Sequence, residues 1–167
     1  MKTVYSYKTS IGEIQIAEEN QAIIKVALIQ ETADDLRQKY SLEKYVYQET
    51  ELIKETANQL MEYFRGERKE FSVKLNPEGT EFQEKVWHAL YKIPYGETRS
   101  YKQIAEAVGS PKAMRAVGMA NHNNPIMFII PCHRVIGANG SLVGYGGGLK
   151  LKQYLLDLEK KGKKKDE

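Results

Sequence analysis

The stretch Ser100-Tyr101-Lys102-Gln103-Ile104-Ala105-Glu106-Ala107-Val108-Gly109-Ser110-Pro111-Lys112-Ala113-Met114-Arg115-Ala116-Val117-Gly118-Met119-Ala120 carries two helix starts separated by a stop. Ser100 with Gln103 forms a capping box, in which each side chain can satisfy a backbone N–H at the helix start, and it predicts a helix over Tyr101–Val108 that Gly109 ends. Ser110 then offers a cap. Pro111 suits a first helical position, where its missing N–H costs nothing, so a second helix is expected from there to about Ala120. Two short helices joined by Gly109-Ser110-Pro111 have the proportions of a helix-turn-helix. The second is rich in small residues and has Arg115 as its one arginine. Such a surface lets a backbone approach either a DNA groove or a neighbouring helix closely, and spacing alone leaves both open.

Working upstream, Thr80 with Gln83 makes another capping box, ahead of Phe82, Val86 and Leu90, and predicts a helix to about Tyr91 that the Ile93-Pro94-Tyr95-Gly96 loop ends. Asn76-Pro77-Glu78-Gly79 is a turn cluster where the composition changes, which places a domain boundary there. Before it, Val4–Tyr7, Gly12–Ala17 and Ala22–Leu28 are short β-favouring runs broken by turn formers, expected to build a small antiparallel sheet. Helices are expected around Ala33–Tyr40 and over Glu51–Arg65, where Leu52, Ile53, Ala57, Leu60, Met61 and Phe64 recur at helical spacing. Phe71, Val73 and Leu75 alternate like one more strand. The fold class is therefore α+β: an N-terminal domain over residues 1–79, a mainly helical domain over 80–159, and a basic tail over 160–167 expected to be disordered.

Downstream, Asn121-His122-Asn123-Asn124-Pro125 is a polar linker, and the apolar run Ile126–Ile130 is expected to be a buried strand ending at Pro131. Cys132 and His133 follow. Gly137, Gly140, Gly144, Gly146, Gly147 and Gly148 then mark a compact loop that lacks the ending of a phosphate-binding P-loop. Leu149–Glu159 closes the domain as a helix with Leu151, Tyr154, Leu155 and Leu158 on its apolar face. A lone cysteine is most often a buried small hydrophobe. An adjacent histidine changes that weighting, because the thiolate is the nucleophile and an imidazole is the usual device for making one. Neighbours on an extended strand face opposite ways, so His133 reaches the sulfur only if the backbone turns or a water bridges them. A third group, commonly a carboxylate, must orient the imidazole, and spacing does not say which.

Composition narrows the classes. A chain of 167 residues with 41% hydrophobic content can bury a core. No stretch approaches the roughly 18 apolar residues of a membrane span, and the start has no apolar run behind a basic segment. One cysteine and three histidines provide neither an internal disulfide nor a thiolate-rich metal site. A cytoplasmic monomer without metal or cofactor is expected. Charge is uneven: residues 1–79 hold 11 Lys+Arg against 14 Asp+Glu, a net of −3, and residues 80–167 hold 14 against 8, a net of +6. That basic half permits a phosphate-rich partner without requiring one.

Three segments carry a resemblance. Pro131-Cys132-His133-Arg134-Val135, Arg115-Ala116-Val117-Gly118 and Asn124-Pro125, with Gly144-Tyr145 to Leu149 following, closely resemble the O6-alkylguanine-DNA alkyltransferases in order and spacing, over Phe82–Glu159. The resemblance implies that Cys132 accepts the alkyl group from O6 of guanine, with O4-alkylthymine as a second substrate. His133 then resembles the base that takes the thiol proton through a water, and Glu159 its orienter. Asn124 is similar to the asparagine that braces the active-site loop, and Tyr101 to the tyrosine that meets the guanine ring at N3. The backbone around Cys132, Val135 and Gly146 is implied to read the guanine edge, with Tyr145 beside it. Arg115 resembles a finger that replaces the flipped base in duplex DNA, carried with Ala116 and Gly118 on a helix in the minor groove. The reaction so implied is stoichiometric and needs no cofactor. The chain departs from the family pattern at Leu158, Met114 and Met119, and its single cysteine excludes the N-terminal zinc site of some members.

Overall fold

The computed structural model describes residues 1–29 and 45–165, which form two compact units divided between Pro77 and Glu78. In the first, β1 (Lys2–Thr9), β2 (Gly12–Glu19) and β3 (Ala22–Ile29) form an antiparallel meander. Asn20 (φ 52°) and Gln21 (φ 62°) join β2 to β3 as a two-residue loop with both central residues left-handed, a conformation that matches the twist of the flanking strands. A short β4 (Tyr45–Tyr47) pairs parallel to β1, giving the order β3-β2-β1-β4. The sheet is thus mixed, and three residues are too few for β4 to show a periodicity in sequence. Helix α1 (Glu51–Phe64), capped by the Thr50 hydroxyl on the Ile53 N–H, packs Ile53, Ala57 and Leu60 into the core with the sheet.

The strand expected at Phe71–Leu75 is reduced to one bridge between Leu75 and Ile23. The Gln59 side chain explains part of this. Its Oε1 accepts the Ser72 backbone N–H, a group that would otherwise serve a ladder, and its Nε2 donates to the Ser72 hydroxyl oxygen. The helix expected at Ala33–Tyr40 lies outside the described residues.

The second unit contains α2 (Glu81–Tyr91), β5 (Arg99–Ser100), α3 (Tyr101–Ala107), α4 (Met114–His122), a 3₁₀ turn (Cys132–Arg134), β6 (Val135–Ile136) and α5 (Leu149–Lys165). Both expected capping boxes form, Thr80 with Gln83 and Ser100 with Gln103. Helix α4 starts later than Pro111. Ser110–Ala113 closes as a turn, with the Ala113 N–H donating to the Ser110 carbonyl at 2.9 Å, and Pro111 takes the second turn position, the other place its fixed φ fits. The Ala113 side chain cannot cap, and α4 begins at Met114 without a side-chain cap bond. The buried Trp87 indole N–H donates to the Ala120 carbonyl at 2.8 Å and ties α2 to α4.

Two further expectations change. Ile126–Ile130 is a buried turn, not a strand: the Asn124 side chain bonds the Ile126 N–H and both the Ile126 and Ile130 carbonyls, which curls the segment back on itself. Phe128 sits inside that curl at φ 70°, strained for a residue with a side chain and fixed by burial. The basic tail is not disordered through Lys165, because α5 continues to that residue. Gly162 lets the helix pass against Tyr95, whose ring atoms a Cβ there would strike. Its lysines also sit at a helix C-terminus, where positive charge is favoured. Among the described residues, no helix is long and apolar enough to cross a membrane.

Candidate active site

Tyr101 is the first residue of α3, set there by the Ser100 capping box, and β5 immediately before it pairs in parallel with β6 immediately after the 3₁₀ turn. The pairs Arg99–Val135 and Ser100–Ile136 therefore bring Tyr101 beside the segment bearing Cys132. Between them is a cavity of about 90 Å³ lined by Tyr101, Gly118, Asn121, His122, Asn124, Met127, Cys132, Gly144, Tyr145 and Gly146. Its neck is tight. Gly118 lies over the Tyr101 ring, and Gly144, at φ +56°, lies close to the Tyr101 hydroxyl.

Cys132 is buried and opens a 3₁₀ turn. Successive side chains on such a turn diverge by about 120° and not by the 180° of a strand. The turn thus removes the obstacle to cooperation between neighbours. Burial pushes the Cys132 thiol up, against the opposing hydrogen bond from Asn124 and the charge of Lys152, so the resting group is a protonated thiol. Asn124 works twice: the same amide that curls residues 126–130 reaches the sulfur.

His133 is fully buried and its Nε2 lies 2.6 Å from Glu159 Oε2. Glu159 is the hub of the site. Arg134 Nε donates to its Oε1 at 2.8 Å, Arg134 Nη2 to its Oε2 at 3.0 Å, and the Gly96 N–H to Oε1 at 3.1 Å. Burial alone would raise the Glu159 carboxyl, but the hydrogen bonds and charge of His133 and Arg134 outweigh it and hold it at about 2. Burial, aided by the charges of Arg134 and Lys152, pushes the His133 imidazole down against the pull of Glu159. The pair is therefore a neutral imidazole facing a carboxylate. An ionised carboxylate only accepts, so Nε2 carries the proton and Nδ1 keeps its lone pair.

The loop Ile93–Gly96 clasps this network. Arg134 Nη1 donates to the Ile93 carbonyl at 2.6 Å, its guanidinium stacks on Tyr95 at 5.7 Å, and Gly96 needs φ +80° where a Cβ would press on the Lys163 side chain. The sequence marks Arg134 only as part of the Pro131–Val135 motif, and Lys152 lies outside the expected site. Yet Lys152 is wholly buried, its Nζ donating to the carbonyls of Val135 (2.5 Å), Val143 (3.0 Å) and Gly144 (3.4 Å). It pins the glycine-rich loop to β6. The signal was available in α5: of the expected face only Leu155 is buried, and it shares the inward side with Lys152, Glu159 and Gly162, while Leu151, Tyr154 and Leu158 are not buried. Two charges spaced among apolar positions of one helix face mark an internal ionic site.

Of the remaining expected residues, Tyr145 and Gly146 line the cavity, and the Tyr145 hydroxyl is buried without a hydrogen-bond partner among the described residues. Val135 does not line it, and its carbonyl holds Lys152. Arg115 and Ala116 are exposed on α4, beside the solvent-facing Met114 and Met119, which are 48% and 61% exposed. An open depression of about 360 Å³ lined by Tyr101, Lys102, Met114, Arg115, Gly118 and Ala138 adjoins the cavity. Burial pushes the Tyr101 phenol up, a thiolate at Cys132 would push it further, and its hydroxyl donates to the Val143 carbonyl at 3.1 Å.

A protonated, buried thiol with a neutral imidazole–carboxylate pair at the next residue defines a cysteine-dependent group-transfer or hydrolytic protein, reached through a small cavity. Comparison with known proteins decides between them. Residues 81–161 match the family described as 6-O-methylguanine DNA methyltransferase, DNA binding domain, and residues 3–77 match its ribonuclease-like domain. The constitutive methylated-DNA–protein-cysteine methyltransferase of Bacillus subtilis is 49% identical over 154 residues, 92% of each chain. That of Methanosarcina acetivorans is 62% identical over 109 residues, 65% of this chain and 70% of the relative. Among solved structures, Mycobacterium tuberculosis OGT in complex with DNA superposes at a TM-score of 0.84 with 42% identity, covering 96% of this chain and 94% of the other. This chain belongs to the methylated-DNA–protein-cysteine methyltransferase family.

Proposed function

We propose that this protein repairs alkylated DNA by moving the alkyl group from O6 of a flipped guanine onto Cys132, once per molecule. The observation that carries this is the cavity in which the Cys132 thiol, the Tyr101 hydroxyl and the Asn124 amide converge, beside the exposed helix bearing Arg115. Nδ1 of His133 takes the thiol proton through a bridging water. The sulfur then forms a bond to the alkyl carbon as the carbon–O6 bond breaks, and the electron pair passes to the guanine ring. Tyr101, held protonated by its burial, meets that charge at N3. Water does not cleave the thioether product, so the protein is consumed.

A base within a duplex cannot reach a buried sulfur, so the nucleotide is extruded at a cost of a few kcal/mol. The α3–α4 pair acts as a helix-turn-helix lying in the minor groove, with Arg115 filling the gap in the stack and Ala116 and Gly118 allowing close approach. Contacts to phosphates make binding tolerant of sequence and sensitive to salt. Intact-mass measurement after mixing with an O6-methylguanine duplex tests the reading. A gain of one methyl group that maps to Cys132 is expected; unchanged mass with tight binding would leave a lesion-sensing module instead. Cys132→Ala should bind the duplex without transfer, and Arg115→Ala should slow repair in duplex more than in single strands.

A further inference from the structure

Away from the reaction cavity, α2 and α3 enclose an open groove of about 520 Å³. From α2 and its C-terminal end it takes Lys85, His88, Ala89 and Lys92, positions three and four apart that share one helix face. From α3 and its C-terminal end it takes Gln103, Ile104, Ala107 and Val108, again one face. Tyr101 and Lys102 lie on the other side of α3 and line the depression beside Arg115, so the groove opens away from the surface proposed to meet DNA. Its floor is apolar. Ile93 and Ile104 are buried, and the short side chains of Ala89 and Ala107 leave the space between the helices unfilled. Its rim is basic: Lys85, His88 and Lys92 are exposed and Arg99 is partly so. Lys85 reaches Glu81 at 3.6 Å and Arg99 reaches Glu97 at 3.2 Å, but both pairs are solvated and weak, which leaves their charge open to an incoming anion. The α2 C-terminus favours positive charge at His88 and Lys92, whereas Lys85 and Arg99 lie outside its last turn.

We infer that this groove is a docking site for an acidic amphipathic helix of a partner protein, its apolar face laid on the floor and its carboxylates over the basic rim. An apolar floor beneath an exposed charged rim is the pattern of helix-in-groove recognition, in which residues at i, i+3, i+4 and i+7 anchor. Lys85 to Lys92 spans about 10 Å of helix, so two turns of a partner fill it. A nucleic-acid backbone offers phosphates to the rim but nothing apolar to the floor. A small polar ligand finds no buried polar side chain there to orient it, because the buried lining residues are Ile93 and Ile104. Nor does a second copy of this chain supply the helix. Among the described residues α1 is the most acidic helix, with Glu51, Glu55 and Glu62 against Lys54, and it already packs Ile53, Ala57 and Leu60 into its own core.

The test is fluorescence polarisation with a labelled helical peptide carrying leucine at i, i+3, i+4 and i+7 and glutamate elsewhere. A shuffled peptide of the same composition and an undamaged DNA duplex as competitor are the controls. Saturable binding is expected that weakens with added salt and exceeds that of the shuffled peptide by about tenfold or more, the factor lost with one apolar anchor. Lys85→Glu with Lys92→Glu should weaken it by about tenfold or more, since like charges then face each other. Ala107→Glu, which sets a carboxylate in the floor, should act in the same direction. Lys160→Glu with Lys164→Glu makes the same change of charge on α5, which lines no part of the groove, and should cost less than about threefold. The groove variants should transfer methyl from an O6-methylguanine duplex at the wild-type rate, because none of them touches the reaction cavity. Thermal melting checks folding, and Lys85→Ala with Lys92→Ala replaces the glutamate pair if that pair unfolds the protein. Absence of saturable binding, equal binding of the shuffled peptide or an equal loss in the α5 variant would overturn the inference. So would competition by the duplex or slowed transfer in the groove variants, which would make the groove a DNA contact, and so would a dimer in sedimentation that those variants dissolve.

Discussion

Replacing Glu159 by glutamine is the most informative perturbation, because it keeps the shape of the hub and changes its hydrogen-bonding sense. The carboxylate accepts four bonds: one from His133, two from Arg134 and one from the Gly96 N–H. An amide can accept at one end only and donates at the other. Arg134 is a donor only, so the glutamine oxygen is claimed by its guanidinium and the amide –NH2 is turned towards His133. The imidazole answers by accepting at Nε2 and moving its proton to Nδ1, the nitrogen proposed to take the thiol proton. With the base in the wrong tautomer, transfer should slow by about 10²–10⁴, the range typical of a lost general base, or about 3–5 kcal/mol of barrier. The thiol supplies no bypass, since burial holds it protonated. The assay is rapid-quench single turnover with an O6-methylguanine duplex, read by intact mass, alongside duplex affinity and a thermal melt. Affinity within about threefold of wild type is expected, because α4 is untouched, while the melting temperature falls as Arg134 loses part of a buried partner. A folded Glu159→Gln protein that transferred methyl within about threefold of the wild-type rate would refute the base assignment.

Three other outcomes follow from the same geometry. The transfer rate should stay level as pH falls past the ordinary histidine range and drop only further into acid, because burial depresses the His133 pKa and the neutral imidazole is the active form; a midpoint above the ordinary histidine value would contradict this. Stability should be lost in acid as Glu159 is protonated: its folded value of about 2 lies below the ordinary 4.5, so its contribution is complete above about 4.5 and disappears as pH falls towards 2, to be followed by denaturant melts. Lys152→Met should destabilise the protein by about 2–4 kcal/mol, since three carbonyls lose a charged donor, and should raise the Cys132 pKa further, measurable by the pH dependence of thiol alkylation.

What could be read from the chain was whatever local chemistry decides. Thr80 with Gln83 and Ser100 with Gln103 fix two helix starts because each box is completed within four residues. The break by turn formers between the second and third strands is equally local, and the chain closes there as a two-residue loop at Asn20-Gln21. Expectations failed where a distant or unusual partner intervened. Asn124 turned an apolar run from a strand into a curl, Gln59 intercepted Ser72, and Gly162 let α5 run on past Tyr95. Glu159 shows the same limit within the site. It lies 26 residues from His133, so the family resemblance, not spacing, points to it in the sequence, and the 2.6 Å contact joins the two in the fold.

The residues that sequence patterning hid share one property: they are charges placed where apolar side chains are expected. Lys152, Glu159 and Arg134 are buried in the same unit, and two of them occupy the inward face of α5. Well-packed apolar residues of similar volume often serve a fold equally well or better than buried ion pairs, so stability does not account for this arrangement. Control of protonation does. Arg134 fixes Glu159 as a carboxylate, Glu159 fixes the His133 proton on Nε2, and the positive charges of Arg134 and Lys152 help keep the imidazole neutral. Lys152 at the same time favours the sulfur anion at the moment it forms. Burial thus favours the thiol form of Cys132, and the buried charges of Arg134, Glu159 and Lys152 set the protonation of the imidazole beside it.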